Sequence, residues 1–245
     1  MNKIKTTKGF TLVELLVVIG ILGVLMGALF PAISSAMLSA NASAMSMRGR
    51  KLFEGITQVN IDREGKGRPS IWPHNDENDG KSDDTDDIAG KTFGTSTDYF
   101  KEVFNMDSYG SDDWEPYVTS CDLSVLSGSG VPGFSGSSLT KNNVAWTVAS
   151  GITSEMEEVV PVMVTRNMDE SLLPTGSGTH DMSTQKTKIT LGKTYAAPFG
   201  NKACIVVHKG GSADVVKAKD CKLYLVYNQQ SFTVPNGVTL KYLTP

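Results

Sequence analysis

The chain has 245 residues, of which 40% are apolar and 20% charged, and its formal net charge is −3. This length is sufficient for a buried core, and the composition is not that of a disordered protein. The mild acidity argues against a dedicated nucleic-acid binder, and three cysteines are too few for a disulfide-based scaffold. The average hides an uneven distribution, because the longest apolar run lies close to the N-terminus.

The N-terminal segment predicts a single membrane span. Residues 1–9 are polar and basic, whereas residues 10–33 are mostly apolar and carry no charge except Glu14. At about 1.5 Å per residue, a helix over residues 15–33 can cross a hydrocarbon core of about 30 Å. The basic residues on the short N-terminal side place that end in the cytoplasm and the rest of the chain outside. A cleaved secretory signal is disfavoured, because no small-residue cleavage site follows the apolar run.

Glu14 is the one charged residue in this apolar segment. A carboxylate inside a membrane span costs about 2.5–3.5 kcal/mol on insertion scales and usually has a partner. Glu14 could lie near the headgroups and be tolerated, or it could pair with a cation at the same depth. Cleavage between Gly9 and Phe10 would create such a cation, the new α-amino group, about one helical turn from Glu14. The pair could form within one chain or between staggered chains.

Residues 8–16, with the sequence KGFTLVELL, resemble the class III signal of type IV pilins and type II secretion pseudopilins. The resemblance implies that a membrane prepilin peptidase cuts between Gly9 and Phe10 and methylates the new N-terminus. It further implies that Glu14, the fifth residue of the mature chain, serves assembly by neutralising the amine of a neighbouring subunit. Pro31 corresponds to the helix-bending proline of the family.

The resemblance implies a structural subunit of a type II secretion pseudopilus or a related type IV filament, used in protein secretion. The expected location is the bacterial inner membrane, with a periplasmic C-terminal domain. The implied partners are the prepilin peptidase, other pilin or pseudopilin subunits, the inner-membrane assembly platform and the membrane itself. Two alternatives stay open: a surface pilus subunit for adhesion, motility or DNA uptake, and a periplasmic enzyme tethered by this segment.

Nucleic acid is not an expected partner. Removal of the leader with Lys3, Lys5 and Lys8 takes the formal side-chain charge from −3 to −6. Binding to DNA depends on neutralising phosphates with basic side chains, so a more acidic mature chain disfavours it. This charge does not separate a pilus from a pseudopilus.

Residues 34–64 predict an amphipathic second half of the same helix. Apolar or small residues recur there close to the helical period of 3.6. Glycines at 65 and 67, followed by Pro69, predict the end of the helix. A helix from Thr11 to about Arg63 would be roughly 80 Å long.

Residues 65–245 predict a globular domain in which an antiparallel sheet packs on that second half, an α+β fold. A short helix over 99–106 and a flexible, Ser/Gly-rich loop over 124–138 precede the strand signals. The predicted strands are 144–149, 159–165, 188–191, 203–208, 215–217, 222–227, 232–234 and 238–243. Glycine-containing turns at 209–212 and 235–237 predict a hairpin at each place.

The acidic segment over residues 75–87 contains a partial calcium-loop pattern. Oxygen-bearing side chains recur around Gly80, and hard cations prefer such ligands. The candidate ligands are Asn75, Glu77, Asp79, Asp83 and Asp86. The pattern is imperfect, because its last ligand is Asp instead of Glu and no pair of helices flanks it. The alternative is a solvated acidic loop without a cation.

Cys204 and Cys221 flank a predicted hairpin and could form a disulfide bond in an oxidising compartment. In the chain-entropy model, closing a loop of this size contributes about 3 kcal/mol. Cys121 would then be unpaired. The alternative is three free, buried thiols, because cysteine often behaves as a small hydrophobic residue.

No catalytic residues are predicted. His74, His180 and His208 are far apart in sequence, and the chain has no zinc-protease helix, nucleophile elbow or phosphate-binding loop motif. A triad assembled from distant positions remains an alternative, because such sites form in space. The expectation is therefore a protein that is not an enzyme, with no cofactor other than the possible calcium ion.

Overall fold

The computed structural model describes residues 10–75, 81–84, 86–136 and 138–245. Helix α1 spans Leu12–Glu64, and its 53 residues give a length of about 80 Å. The long helix predicted from the sequence is confirmed, and it continues through Pro31. The chain divides into two compact units, Met1–Ala40 and Asn41–Pro245.

Helix α1 ends at Glu64, followed by the predicted glycine signal. Gly67 has a φ of 68°, a left-handed conformation that favours glycine, and its N–H donates to the carbonyl of Glu64. The buried guanidinium of Arg63 contacts Asp87 at 2.7 Å and donates to the carbonyl of Pro69 at 2.7 Å. These bonds hold the chain that follows α1 against its last turn.

The second unit contains seven strands and two short helices among the described residues. The strands are β1 (Trp146–Ser150), β2 (Pro161–Thr165), β3 (Gly178–His180), β4 (Ala203–His208), β5 (Ala213–Lys217), β6 (Phe232–Val234) and β7 (Lys241–Leu243). The helices are α2 (Ser96–Val103) and α3 (Leu223–Val226). Five strands form an antiparallel sheet in the order β5-β4-β2-β1-β7, and β3 pairs with β6. The α+β fold is confirmed.

The second half of α1 packs on this sheet through a buried face. A Cβ atom at Gly49 would lie 2.7 Å from side-chain carbons of both Trp146 and Val207, so only glycine allows this close approach. Trp146 is fully buried, and its indole N–H donates to the carbonyl of Val125 at 2.8 Å. The buried residues of the helix are Ala42, Met45, Gly49, Leu52, Gly55, Ile56 and Arg63.

Two of the predicted strands are wrong. The segment 222–227 forms the single-turn helix α3, because burial of Leu223 and Val226, three residues apart, requires a helical turn. Asn228 and Gln229 close that turn with φ values of 49° and 59°. The segment 188–191 makes only isolated bridges, to residues 222 and 168, and forms no continuous strand.

The two predicted hairpins have different outcomes. The 209–212 turn joins β4 to β5 as predicted, with Gly211 at a φ of 83°. The 235–237 turn does not make a hairpin, because β6 pairs with β3 while β7 pairs with β1. Strand β3 lies outside the predicted strands, and its partner β6 is distant from it in sequence. Strand β7 instead forms the edge of the main sheet, beside β1.

The predicted flexible loop over 124–138 is partly wrong. A 3-10 turn over Leu123–Leu126 begins it, and Val125, Leu126 and Val131 are buried. Ser127 contributes two acceptors to Arg48 of α1, its carbonyl at 2.8 Å and its hydroxyl at 3.3 Å. The apolar residues within the Ser/Gly-rich sequence thus dock this segment on the domain.

Arg166 is buried, and among the described residues it makes no ion pair with a carboxylate. Its Nη1 donates to the carbonyls of Lys141 at 2.6 Å and Val144 at 3.0 Å, and its Nε donates to that of Ala197 at 3.3 Å. The guanidinium also lies 4.9 Å from the ring centroid of Tyr195. Burial lowers the pKa of Arg166, and the three carbonyl oxygens stabilise the charge that it keeps.

Replacing Arg166 by Met is expected to lower the free energy of unfolding by about 2–4 kcal/mol. A hydrogen bond to a charged group contributes about 1.5–3 kcal/mol, and the substitution leaves three carbonyls without this donor, although the Met side chain regains some packing. Chemical denaturation of the full chain in detergent measures the change. The exposed Lys202→Met is the control, and equal stability of the two variants would contradict this role for Arg166.

Candidate functional site

The N-terminus of α1 is closed by reciprocal hydrogen bonds between Thr11 and Glu14. The backbone N–H and the hydroxyl of Thr11 both donate to Oε2 of Glu14 at 2.8 Å. The backbone N–H of Glu14 donates to Oγ1 of Thr11 at 3.2 Å. This arrangement is a capping box, which satisfies backbone donors in the first turn of a helix.

Glu14 is thereby placed beside the predicted processing junction. Its Oε2 accepts a hydrogen bond from the N–H of the Phe10–Thr11 peptide group, immediately after the residue that would carry the new amine. Phe10 is the first described residue, and its side chain is 78% exposed. Gly9, the other residue of the predicted junction, lies outside the described residues.

Around this carboxylate, the surface of α1 is apolar and uncovered. Every large apolar side chain from residue 10 to residue 33 is between 45% and 79% exposed. The most apolar 18-residue window has a mean hydropathy of 2.6, and none of it is buried. In the described part of the chain, α1 is the one helix long and apolar enough to cross a membrane. A surface this large needs lipid or a protein partner to cover it.

The apolar half of α1 contains three glycines with open space beside them and a proline inside the helix. Apart from the adjacent residues and the backbone of the same helix, no atom lies within 4 Å of the position that a Cβ would take at Gly20, Gly23 or Gly27, so another helix can approach closely there. Pro31 lies inside the helix and has no N–H to donate to the preceding turn. The hydroxyl of Ser34 donates to the Pro31 carbonyl at 2.9 Å, which adds a local bond beside the proline.

The candidate calcium ligands remain a prediction, because Glu77 and Asp79 lie outside the described residues. The amide of Asn75 donates to the carbonyl of Thr239 at 2.5 Å, and its side-chain oxygen accepts from Ser150 at 2.8 Å. Asp83 and Asp86 are exposed. In the described ranges, no three His, Cys, Asp or Glu side chains are grouped so as to hold a metal ion.

Two of the three cysteines, Cys204 and Cys221, lie close together, and Cys121 lies apart from them. The sulfur atoms of Cys204 and Cys221 lie 3.8 Å apart and are not bonded to each other. Cys121 is half-buried, and burial raises the pKa of its thiol to about 11. The two cysteines that were predicted to pair therefore lie close in space, and the disulfide bond between them stays a prediction.

The three histidines contact the main chain or an aromatic ring. His74 Nε2 lies 2.9 Å from the carbonyl oxygen of Ser70, and His208 Nε2 lies 2.8 Å from that of Val226. The ring of His180 stacks on Phe232 with 5.0 Å between centroids. These contacts are structural ones.

The described structure has the arrangement of a pilin-like protein, a long N-terminal apolar helix followed by an antiparallel sheet domain. Residues 4–30 match the family described as the prokaryotic N-terminal methylation motif, which is the signal of type IV pilins and pseudopilins. No curated protein and no solved structure matches the chain. The motif supports a type IV pilin-like subunit, and it implies processing by prepilin peptidase and assembly with other pilin subunits. It thereby suggests a structural subunit and not an enzyme.

Thr11 is the residue of this site that was not among the residues predicted from the sequence. Its role follows from the pattern Thr-x-x-Glu over residues 11–14, which precedes an apolar run and is a known signature of a helix N-terminus. The same glutamate therefore belongs to two overlapping patterns, the methylation motif and the capping box.

Proposed function

We propose that the chain is a structural subunit of a type II secretion pseudopilus or a related type IV filament, cleaved between Gly9 and Phe10 and assembled through α1. The observation that carries the proposal is the N-terminus of this helix. There, Glu14 lies four residues after the junction in a surface that is otherwise apolar and exposed. The matched methylation motif covers the same residues.

The carboxylate of Glu14 has an oxygen available for a second partner. All the hydrogen bonds that the described residues make to it go to Oε2. The capping box can therefore persist while Oε1 accepts a hydrogen bond from the positively charged amine of a neighbouring subunit. N-methylation of an amine preserves its charge, so processing would still supply a cation.

Pairing of the two charges explains how both can stay in an apolar environment. An isolated carboxylate or ammonium is costly in hydrocarbon, and removing one partner of a buried pair leaves the other uncompensated. The pair forms only when one subunit stands at a particular height relative to the next. Glu14 would thus set the stagger between adjacent helices.

Transfer from the membrane into a filament keeps the apolar surface of α1 covered throughout. Lipid tails are as apolar as the side chains of this helix, so association depends mainly on close packing and polar pairing. Gly20, Gly23 and Gly27 offer open surfaces for that packing. Basic residues before the span would hold the leader in the cytoplasm, with the sheet domain in the periplasm and later on the outside of the filament.

Processing and filament recovery together test this function. The full chain would be expressed with the assembly platform and either active or inactive prepilin peptidase, and filaments would be sheared from the cells. We expect a shortened chain in the sheared fraction only with the active enzyme. A processed chain that never enters filaments, together with a hydrolytic activity, would instead support the tethered enzyme.

Deletion of the gene distinguishes the two kinds of filament. A pseudopilus subunit is required for export of folded proteins across the outer membrane, so deletion should retain secreted enzymes in the periplasm. A surface pilus subunit would leave secretion intact and remove adhesion, motility or DNA uptake. The proposal expects the secretion defect.

A further inference from the structure

The second unit contains two thiols that are buried against each other. Cys204 lies in β4 and Cys221 lies two residues before α3, and both are 0% exposed. Their sulfur atoms are 3.8 Å apart, and a disulfide bond of about 2.05 Å would require about 2 Å of approach, shared by two side chains. The remaining polar contact of Cys204 is the carbonyl oxygen of Val216, at 3.7 Å.

Cys121 is not an alternative partner for Cys204. The sulfur of Cys121 lies 3.6 Å from the position of a Cβ at Gly55, so it lies on the α1 side of the sheet. Val207 of β4 also faces α1, since it contacts the same helix at Gly49. Side chains alternate along a strand, and Cys204, three residues before Val207, therefore projects from the opposite face.

The two thiols differ in how readily they ionise. The hydrogen bond from Cys204 lowers the pKa of Cys221 in spite of burial, and the positive charge of Lys188 lowers it further. The same hydrogen bond, together with burial, raises the pKa of Cys204. The contact between the two sulfur atoms therefore favours the thiolate form at one thiol and disfavours it at the other.

We propose that Cys204 and Cys221 are joined by a disulfide bond in the exported domain, an inference that rests on the proposed location of this domain outside the cytoplasm. Disulfides persist in that compartment. While the exported chain is still folding, before these thiols are buried, the thiolate of one cysteine attacks the disulfide of an envelope thiol oxidase, and the thiolate of the other then attacks the mixed disulfide. Two S–H bonds of the chain and the S–S bond of the oxidase break, and one S–S bond forms in the chain; the two electrons and two protons pass to the oxidase, which leaves as a dithiol.

The bond would hold the edge of the main sheet. The closed loop from Cys204 to Cys221 contains all of β5, which is an edge strand, and it ends two residues before α3. Cross-linking this loop restricts the unfolded chain and limits separation of β5 from β4. Reduction should therefore lower the Tm by about 6–12 °C, given the loop length and the size of the domain.

Differential alkylation of the native chain tests the bond. The full chain is extracted from the cell envelope in denaturant with iodoacetamide, then reduced and labelled with a second alkylating reagent before peptide mass spectrometry. We expect the first label on Cys121 and the second label on Cys204 and Cys221. Finding the first label on all three cysteines would overturn the proposal.

Thermal denaturation with and without dithiothreitol provides an independent readout. The wild-type chain and the matched control Cys121→Ala should both lose about 6–12 °C on reduction, whereas the double variant Cys204→Ala/Cys221→Ala should not respond. An unchanged wild-type Tm after complete reduction would overturn the role of the bond in holding β5.

Oxidation in vitro separates this inference from the proposed function. If the thiols are free in the cell but bond in oxidised glutathione, the disulfide proposal fails because the domain does not reach an oxidising compartment. If oxidised glutathione does not produce the disulfide bond either, the positions of the two thiols do not allow it to form. The disulfide proposal then fails, and the proposed filament function is unaffected.

Discussion

Replacement of Glu14 by Leu should leave the chain inserted in the membrane but largely remove it from filaments. The variant span is more apolar, so insertion is not impaired. The amine of the neighbouring subunit loses its partner, and an uncompensated buried charge costs about 3–5 kcal/mol. We therefore expect recovery in sheared filaments to fall by at least about 100-fold, measured by immunoblot against the membrane fraction.

Two matched variants separate the charge of Glu14 from its capping role. Glu14→Gln keeps an oxygen that can accept from Thr11 but removes the charge, and it should fail to assemble as Glu14→Leu does. Thr11→Val removes the cap and leaves the carboxylate, which costs about 1 kcal/mol of helix stability and should preserve most of the assembly. Wild-type filament levels with Glu14→Leu would contradict the proposed pairing.

Substitution of Gly49 by Val is expected to destabilise the sheet domain by about 2–4 kcal/mol. The new Cβ would lie 2.7 Å from side-chain atoms of Trp146 and of Val207, which are both fully buried. Overpacking of this kind typically costs about 1–3 kcal/mol, and the added methyl groups increase it. The gain in helix propensity over glycine is smaller, about 0.5 kcal/mol.

Thermal denaturation of the full chain in detergent would show this effect as a fall in Tm of about 5–15 °C. Ala44→Val, at an exposed position of the same helix, is the control and should leave the Tm almost unchanged. Equal Tm values for the two variants would show that α1 does not pack on the sheet at Gly49.

The long helix was predictable because its signals are local. The apolar span, the later amphipathic period and the glycines after residue 64 each depend only on neighbouring residues, and the observed bounds of Leu12–Glu64 agree with them. The same holds for β4, whose predicted limits of 203 and 208 are those observed. Continuous apolar residues followed by a glycine turn identify such a buried strand without knowledge of its neighbours.

The errors occur where tertiary contacts choose between local alternatives. The β-like sequence at 222–227 becomes helix α3, because Leu223 and Val226 are buried from one face of a turn. Strand β7 pairs with β1 instead of β6, and no local pattern could indicate that choice. The three residues of β3 carry too little apolar character to be distinguished from a loop.

In the candidate site, too, the features with local sequence signals were predictable and those set by tertiary contacts were not. Phe10 and Glu14 were identified because the motif around the junction is contiguous, and the match to residues 4–30 includes both. The hydrogen bonds from Thr11 to Glu14 required coordinates, although the capping pattern was visible in the sequence. The approach of Cys204 to Cys221 depends on how α3 packs against β4, which spacing alone does not determine.

Intact-mass and N-terminal peptide analysis of the chain recovered from sheared filaments is the most direct test of the processing that this assembly requires. The expected product lacks residues 1–9, begins at Phe10 and carries one methyl group on its α-nitrogen. A filament-borne chain that still contains Met1 through Gly9 would have no amine beside Glu14, and it would contradict the account.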